Sequence, residues 1–182
     1  VINADDYYGI DAYRTMYEAL VKLPADGQAV MVGYLLKNTA SLHGTVSRGV
    51  CTVENGKLRS VREALKIQLY PDGSLRDLAE DRELSPETIV SMNFWGFAPS
   101  IFPALKEYFD DFLRNEAGDN IKAECLLPVM VDHQMQAGKL DVTVLHSADK
   151  WFGMTYQEDR ATVAAELKKL HDSGAYPESL RA

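Results

Sequence analysis

The residues best suited to chemistry stand at the start of the sequence. Val1-Ile2-Asn3-Ala4 runs an apolar stretch straight into two adjacent carboxylates, Asp5 and Asp6. Read as a buried strand ending in acids, this places both side chains beyond the carboxyl end of a strand, where open α/β sheets bind ligands. Carboxylate oxygens there, followed by Tyr7, Tyr8 and a flexible Gly9, suit a hard cation such as Mg2+. The plainer alternative is that an aspartate simply caps the following turn. Arg48 is a candidate for meeting a phosphate, although a strand arginine more often serves a neighbouring carboxylate. His43, His133, His146 and His171 have no metal-like spacing, and no role is assigned to them. Cys51 and Cys125 sit in apolar sequence without CxxC spacing, which reads as buried free thiols of a cytosolic protein.

Elements must hold these groups in place. Tyr13, Met16, Tyr17 and Leu20 recur at helical spacing and predict an amphipathic helix over about 11–23, ended by Pro24 and Gly27. Residues 29–36 read as a central strand. Two strand-like runs, 46–53 and 58–67, flank Asn55-Gly56, the strongest short-range hairpin signal in the chain. The polar stretch from Pro71 to Pro86 reads as an exposed loop or hairpin turning at Asp72-Gly73, and 89–97 as a further apolar strand. Ile101, Phe102, Leu105, Phe109, Phe112 and Leu113 form one helical stripe. A third helix is expected over about 123–136, with Pro128 in its first turns and Gly138 at its stop. Residues 140–146 alternate like a strand. A last helix opens with the capping box Thr155-x-x-Glu158 and turns Val163, Leu167 and Leu170 inward. Strands alternating with helices predict an α/β layered fold with a mixed sheet, in a single domain spanning 1–182.

Composition narrows the partners. The 182 residues carry 19 basic and 27 acidic side chains, a formal charge of −8. Long nucleic acids are held by clustered Lys and Arg, so such a partner is not expected, whereas a small phosphorylated substrate is compatible with any net charge. The longest apolar run, around 29–36, is too short to span a bilayer, and no basic start resembling a signal peptide is present. A cytoplasmic protein with no membrane partner is expected.

Asn3-Ala4-Asp5-Asp6-Tyr7-Tyr8-Gly9 resembles the metal-site motif of the bacterial sugar-1-phosphate nucleotidyltransferases, which include the glucose-1-phosphate uridylyl- and thymidylyltransferases. Further segments agree in order and spacing with that family. They are Arg48-Gly49-Val50, Glu63, Ser91-Met92-Asn93-Phe94-Trp95-Gly96-Phe97, and the run from Trp151 to Asp159. The resemblance implies a three-layer Rossmann-like nucleotide-diphospho-sugar transferase fold with a mixed central sheet, incomplete at its N-terminal side. It implies Asp5 as the catalytic Mg2+ ligand, with Asp6 beside it. Gly49 would let the sugar approach the backbone, Glu63 would accept hydrogen bonds from sugar hydroxyls, and Ser91 and Asn93 would contact the sugar. The implied reaction joins a sugar-1-phosphate to a nucleoside triphosphate, giving a nucleotide sugar and pyrophosphate.

The sequence also departs from that family. No glycine-rich loop with a basic residue precedes the acidic motif, so a missing N-terminal segment is expected and the chain alone reads as incomplete. Where the family has a lysine after its glutamate, this chain has Ala64, and Lys66 is the substitute for phosphate contact. A second metal-binding aspartate is expected in the Trp151 segment, where Gly153 and Thr155 stand at the matching positions. Asp149 is the nearest replacement. Two other readings stay open: a metal-dependent glycosyltransferase of related fold, and a non-catalytic sugar-phosphate-binding module. An open sheet edge at Val1–Ala4 would favour self-association.

Overall fold

Tyr34, Met31 and the valines around them leave no polar face on the first long strand, and burial of that strand on both sides organises the molecule. The computed structural model describes residues 1–118, 120, 122–147, 149–153, 156–176 and 179. Strand β1 (Gln28–Leu35) is buried from Ala29 to Tyr34. It pairs antiparallel with β6 (Ile89–Phe97) on one side and parallel with β7 (Asp141–His146) on the other. The hairpin of β2 (Val46–Glu54) and β3 (Lys57–Leu69) then bridges the two free edges. β2 joins β6 through Gly49↔Ser91 and Val50↔Val90, and β3 joins β7 through Lys57↔Thr143. The ring β2-β6-β1-β7-β3 closes on itself, and the short strands β4 (Leu75–Asp77) and β5 (Arg82–Leu84) extend β3 outward.

This corrects the expected three-layer Rossmann-like fold. The chain adopts a small mixed α/β fold built on a closed five-strand barrel with four α-helices among the described residues. Layered Rossmann-like sheets rest on repeated parallel strands joined by helical crossovers. Here β1–β7 is the one parallel pair in the ring, and the long β2–β3 hairpin pairs at both flanks, which curls the sheet shut. Asn55 and Gly56 turn that hairpin with φ of 53° and 73°, the left-handed pair a two-residue turn requires.

Helix α1 (Ile10–Leu20) lies on one face, with Ala12 and Met16 buried against Val30, Phe94 and their neighbours. Tyr13, Tyr17 and Leu20, expected in the same stripe, are substantially exposed, because the helix presents its Ala12–Met16 ridge to the barrel. Tyr13 still closes edge-on over Tyr8 and lies 5.0 Å from the Phe94 ring. On the other face, α2 (Ile101–Asn115) buries only Ile101 and Phe112, while α3 (Leu127–Gln136) buries Met130 and Val131 against Met31, Val142 and Val144. Phe102, Phe109 and Leu113 of the predicted α2 stripe are exposed. Helix α4 (Asp159–Asp172) buries no residue fully, and Leu167 points outward. The expected capping box begins at Thr155, outside the described residues. No helix among the described residues is long and apolar enough to cross a membrane.

The opening segment is not the strand its apolar residues predict. Val1 is 61% exposed and Ile2 43%. Val1 nevertheless makes two backbone hydrogen bonds to Trp95, its amino group donating to the carbonyl at 2.7 Å and its carbonyl accepting from the amide at 3.0 Å. The chain then turns at Ala4-Asp5 and returns through Tyr7, which forms an antiparallel bridge with Phe152.

Candidate functional site

Ladder register brings three distant residues into one row. Gly49 of β2 stands opposite Glu63 of β3 on one side and opposite Ser91 of β6 on the other. Partners in a ladder project to the same face, so Glu63 and Ser91 flank a position that carries no side chain. A Cβ on Gly49 would lie 3.1 Å from Val61 Cγ2, 3.3 Å from Ser91 Cβ and 3.6 Å from Glu63 Oε2. Gly49 itself is buried, so the missing side chain lets a carboxylate and a hydroxyl pack closely on either side of bare backbone. Burial pushes the Glu63 carboxyl above the usual carboxylate range, opposed by Arg48 and helped by Glu124. Ser91 is buried, and its Oγ accepts from the Asn93 amide at 3.2 Å.

A bulge in β6 sets the next part of the site. Met31 pairs with Trp95 and Gly33 with Ser91, so three residues of β6 oppose one of β1. Asn93, at the centre of the bulge, has φ of 60°, a left-handed conformation that asparagine tolerates better than most residues. Its side chain turns toward the opening segment: Nδ2 lies 3.4 Å from Asn3 Oδ1, and Oδ1 accepts from Trp95 Nε1 at 3.4 Å. Both contacts are long. Asn3 Nδ2 donates to Asp6 Oδ2 at 2.9 Å, and its backbone amide donates to the Tyr8 hydroxyl at 3.0 Å. Tyr8, fully buried, donates to the Met92 carbonyl at 2.7 Å and so ties the acidic turn to the bulge. Tyr8 has no signal in the sequence beyond its aromatic type, because its partner lies far along the chain.

Asp5 is exposed at the turn, whereas Asp6 is half-buried with Oδ2 taken by Asn3 and Tyr8. No group of three or more His, Cys, Asp or Glu able to hold a metal occurs among the described residues. Asp5 and Asp6 could supply at most two protein ligands. Two carboxylates do not make a cage built from protein alone.

Neither position considered for a second metal aspartate supplies one. A Cβ on Gly153 would fall 2.1 Å from Trp151 Cη2 and 3.0 Å from Asp6 Oδ1, so this arrangement leaves no room for a side chain there. Thr155 lies outside the described residues. Asp149 serves a helix instead. Its Oδ2 accepts from the Asp11 and Ala12 amides at 2.6 and 3.1 Å, which caps the first turn of α1. Lys66, expected on the phosphate, is exposed where β3 bulges, with Leu65 and Lys66 together opposing Ser47. Among the described residues, no contact joins its ammonium to Glu63, Gly49 or Ser91.

On the other side of Glu63 lies Arg48. Its guanidinium donates from Nε to the Thr39 carbonyl at 3.1 Å, from Nη1 to the Ser47 carbonyl at 2.7 Å, and from Nη2 to the Thr39 carbonyl. It also sits 5.0 Å above the Trp151 ring, a cation–π contact. Burial lowers its pKa to about 10, with Asp6 and Glu63 partly restoring it. Cys51 is buried beside this region and its thiol is pushed up to about 12, which makes it inert packing.

The structure thus gathers Gly49, Glu63 and Ser91 in one row, with Asn93 and the Asp5–Asp6 turn joined to it through the bulge. It leaves Lys66 outside. No family model matches the chain, and no match is found among curated proteins.

Proposed function

We propose that this chain recognises a sugar-1-phosphate and serves nucleotidyl transfer, in which a sugar-phosphate oxygen attacks the α-phosphorus of a nucleoside triphosphate and pyrophosphate leaves. One observation carries the reading. Gly49, Glu63 and Ser91, singled out from separate stretches of sequence, are register partners on a single face.

Each group has a role suited to its setting. Ionised Glu63 accepts hydrogen bonds from sugar hydroxyls, while Ser91 Oγ and the loosely held Asn93 amide offer further polar contacts beside it. Asp5, with Asp6 beside it, would hold Mg2+, which would supply neutralisation of the charge on the phosphates. No general base is required, because the attacking sugar phosphate is already an anion. The chain's own contribution is positioning and electrostatic complementarity.

Titration calorimetry with glucose-1-phosphate and with UTP, each with and without Mg2+, tests this reading, followed by an assay for nucleotide sugar and pyrophosphate. Saturable sugar-phosphate binding together with product formation supports it. Sugar-phosphate binding without turnover reduces the chain to a sugar-phosphate-binding module, and binding of neither ligand overturns the proposal.

A further inference from the structure

A cavity of about 250 Å3 opens beside Arg48, on the far side from the Gly49–Glu63–Ser91 row; Lys37, Thr39, Ser41, Lys150 and Trp151 are among the residues that line it. Three of its lining side chains are cationic, and they differ in how they are neutralised. Lys37 pairs with Glu87, and Lys150 lies 3.8 Å from Glu166 at an exposed position. Arg48 makes no ion pair with a described carboxylate. All three of its nitrogens donate to neutral carbonyls, and the second N–H on each Nη has no described partner. The one lining carboxylate identified, Asp159, is already engaged by the Ser41 hydroxyl at 2.9 Å and the Tyr156 amide at 3.3 Å.

Trp151 supplies a second, independent observation. The residue lines the same cavity and is buried, with 8% relative exposure, and its Nε1–H, itself closed to solvent, has no hydrogen-bond partner among the described residues. It is the one buried side-chain nitrogen or oxygen so placed among the described residues. Buried N–H groups are almost always satisfied, and an orphan one on a ring stacked under a guanidinium that bonds only to neutral carbonyls marks where an acceptor belongs. A carboxylate or phosphate is an acceptor for either group, and a guanidinium fork matches the oxygens of a phosphate monoester.

We infer that the cavity between Arg48, Lys150 and Trp151 is a binding site for a phosphate-type oxyanion. This inference stands on the cavity's own residues and does not need the sugar-binding row. The anion has two possible sources: free phosphate, or the phosphate of a small ester whose remainder lies elsewhere.

The test follows the two indole N–H resonances, from Trp95 and Trp151, in a nitrogen-15 spectrum of the full chain titrated with inorganic phosphate and, separately, with glucose-1-phosphate. One indole signal is expected to shift saturably with inorganic phosphate. Arg48→Gln should weaken that binding by about tenfold or more. Lys150→Gln, at an exposed side chain that leaves the core untouched, should weaken it roughly two- to fivefold. Equal affinities for the two ligands would assign a free-anion site. Tighter binding of the ester, lost selectively in Glu63→Gln, would instead assign the phosphate end of a sugar phosphate. A dispersed spectrum in which neither indole signal moves with phosphate overturns the inference. So does phosphate binding that Lys150→Gln and a folded Arg48→Gln leave unchanged. Phosphate binding at the indole in a protein that ignores glucose-1-phosphate keeps this site while removing the proposed function.

Discussion

Glu63 carries opposing demands. Its carboxyl is half-buried beside Gly49, and burial raises its pKa, so in the folded chain the ionised form is the disfavoured one. A carboxyl whose folded pKa lies above its unfolded value holds its proton more tightly when folded. Its ionisation therefore costs stability as pH rises through the raised value, and that cost is absent below the ordinary carboxylate pKa. The same ionised form is what sugar hydroxyls would use. Glu63→Gln should thus melt at or above the wild-type temperature at neutral pH, with the gap closing in acid. In the same variant glucose-1-phosphate affinity should fall by about tenfold or more. Thermal melts from acid to neutral pH, paired with calorimetry, check both halves; a variant that loses stability at neutral pH would show that the carboxylate is structural.

Helix α1 shows how an element can depend on a residue far from it in sequence. Gly9 precedes it and offers no side-chain cap, so the first-turn amides rely on Asp149, which arrives after β7. An anionic acceptor at a helix N-terminus satisfies orphan donors and complements the dipole. Asp149→Ala should cost about 1–2 kcal/mol, a drop in melting temperature of several degrees for a chain of this size. Asp149→Asn, which keeps the acceptor, should recover much of it in denaturant titrations. This cap also marks where sequence reading stopped. The hairpin turning at Asn55-Gly56, the strand over 89–97 and the helix ending near Gln136 are written in local signals, and each is where those signals put it. Asp149 had no such signal, because its partners lie across the whole sheet, and its acidic type suggested a metal instead. Val1–Ala4 misled in the opposite way: four residues, mostly apolar or small, read as a buried strand, yet only Val1 finds a backbone partner on the sheet, at Trp95. In the candidate site, Gly49, Glu63 and Ser91 stand out one by one in the sequence, but their meeting in one row, like the bulge at Leu65 and Lys66, is a matter of register that no local signal carries.

At the scale of the whole molecule, ring closure is what the sequence could not convey. Whether strands form layers or a barrel depends on which edges meet, and the deciding pairs, β2 with β6 and β3 with β7, join segments far apart in the chain. The ring is also uneven. β1–β6 and β1–β7 are paired along most of their lengths, whereas the β3–β7 seam rests on the Lys57↔Thr143 pair, reinforced by Lys57 Nζ donating to Asp141 at 2.6 Å and to Thr143 Oγ1 at 2.9 Å. Native-state hydrogen exchange should therefore find amides at this seam opening well before those of β1; equal protection along both would refute a weak seam. The order of strands in the ring has a further consequence for how the protein is made. β1 leaves the ribosome before the other strands of the barrel, but its parallel partner β7 follows only after every one of them has been synthesised. Until then β1 presents a bare, apolar edge, and the nascent chain is an open sheet that must be kept from pairing with its neighbours. Closing the barrel waits for the last strand of the ring to be made, a strand of six residues.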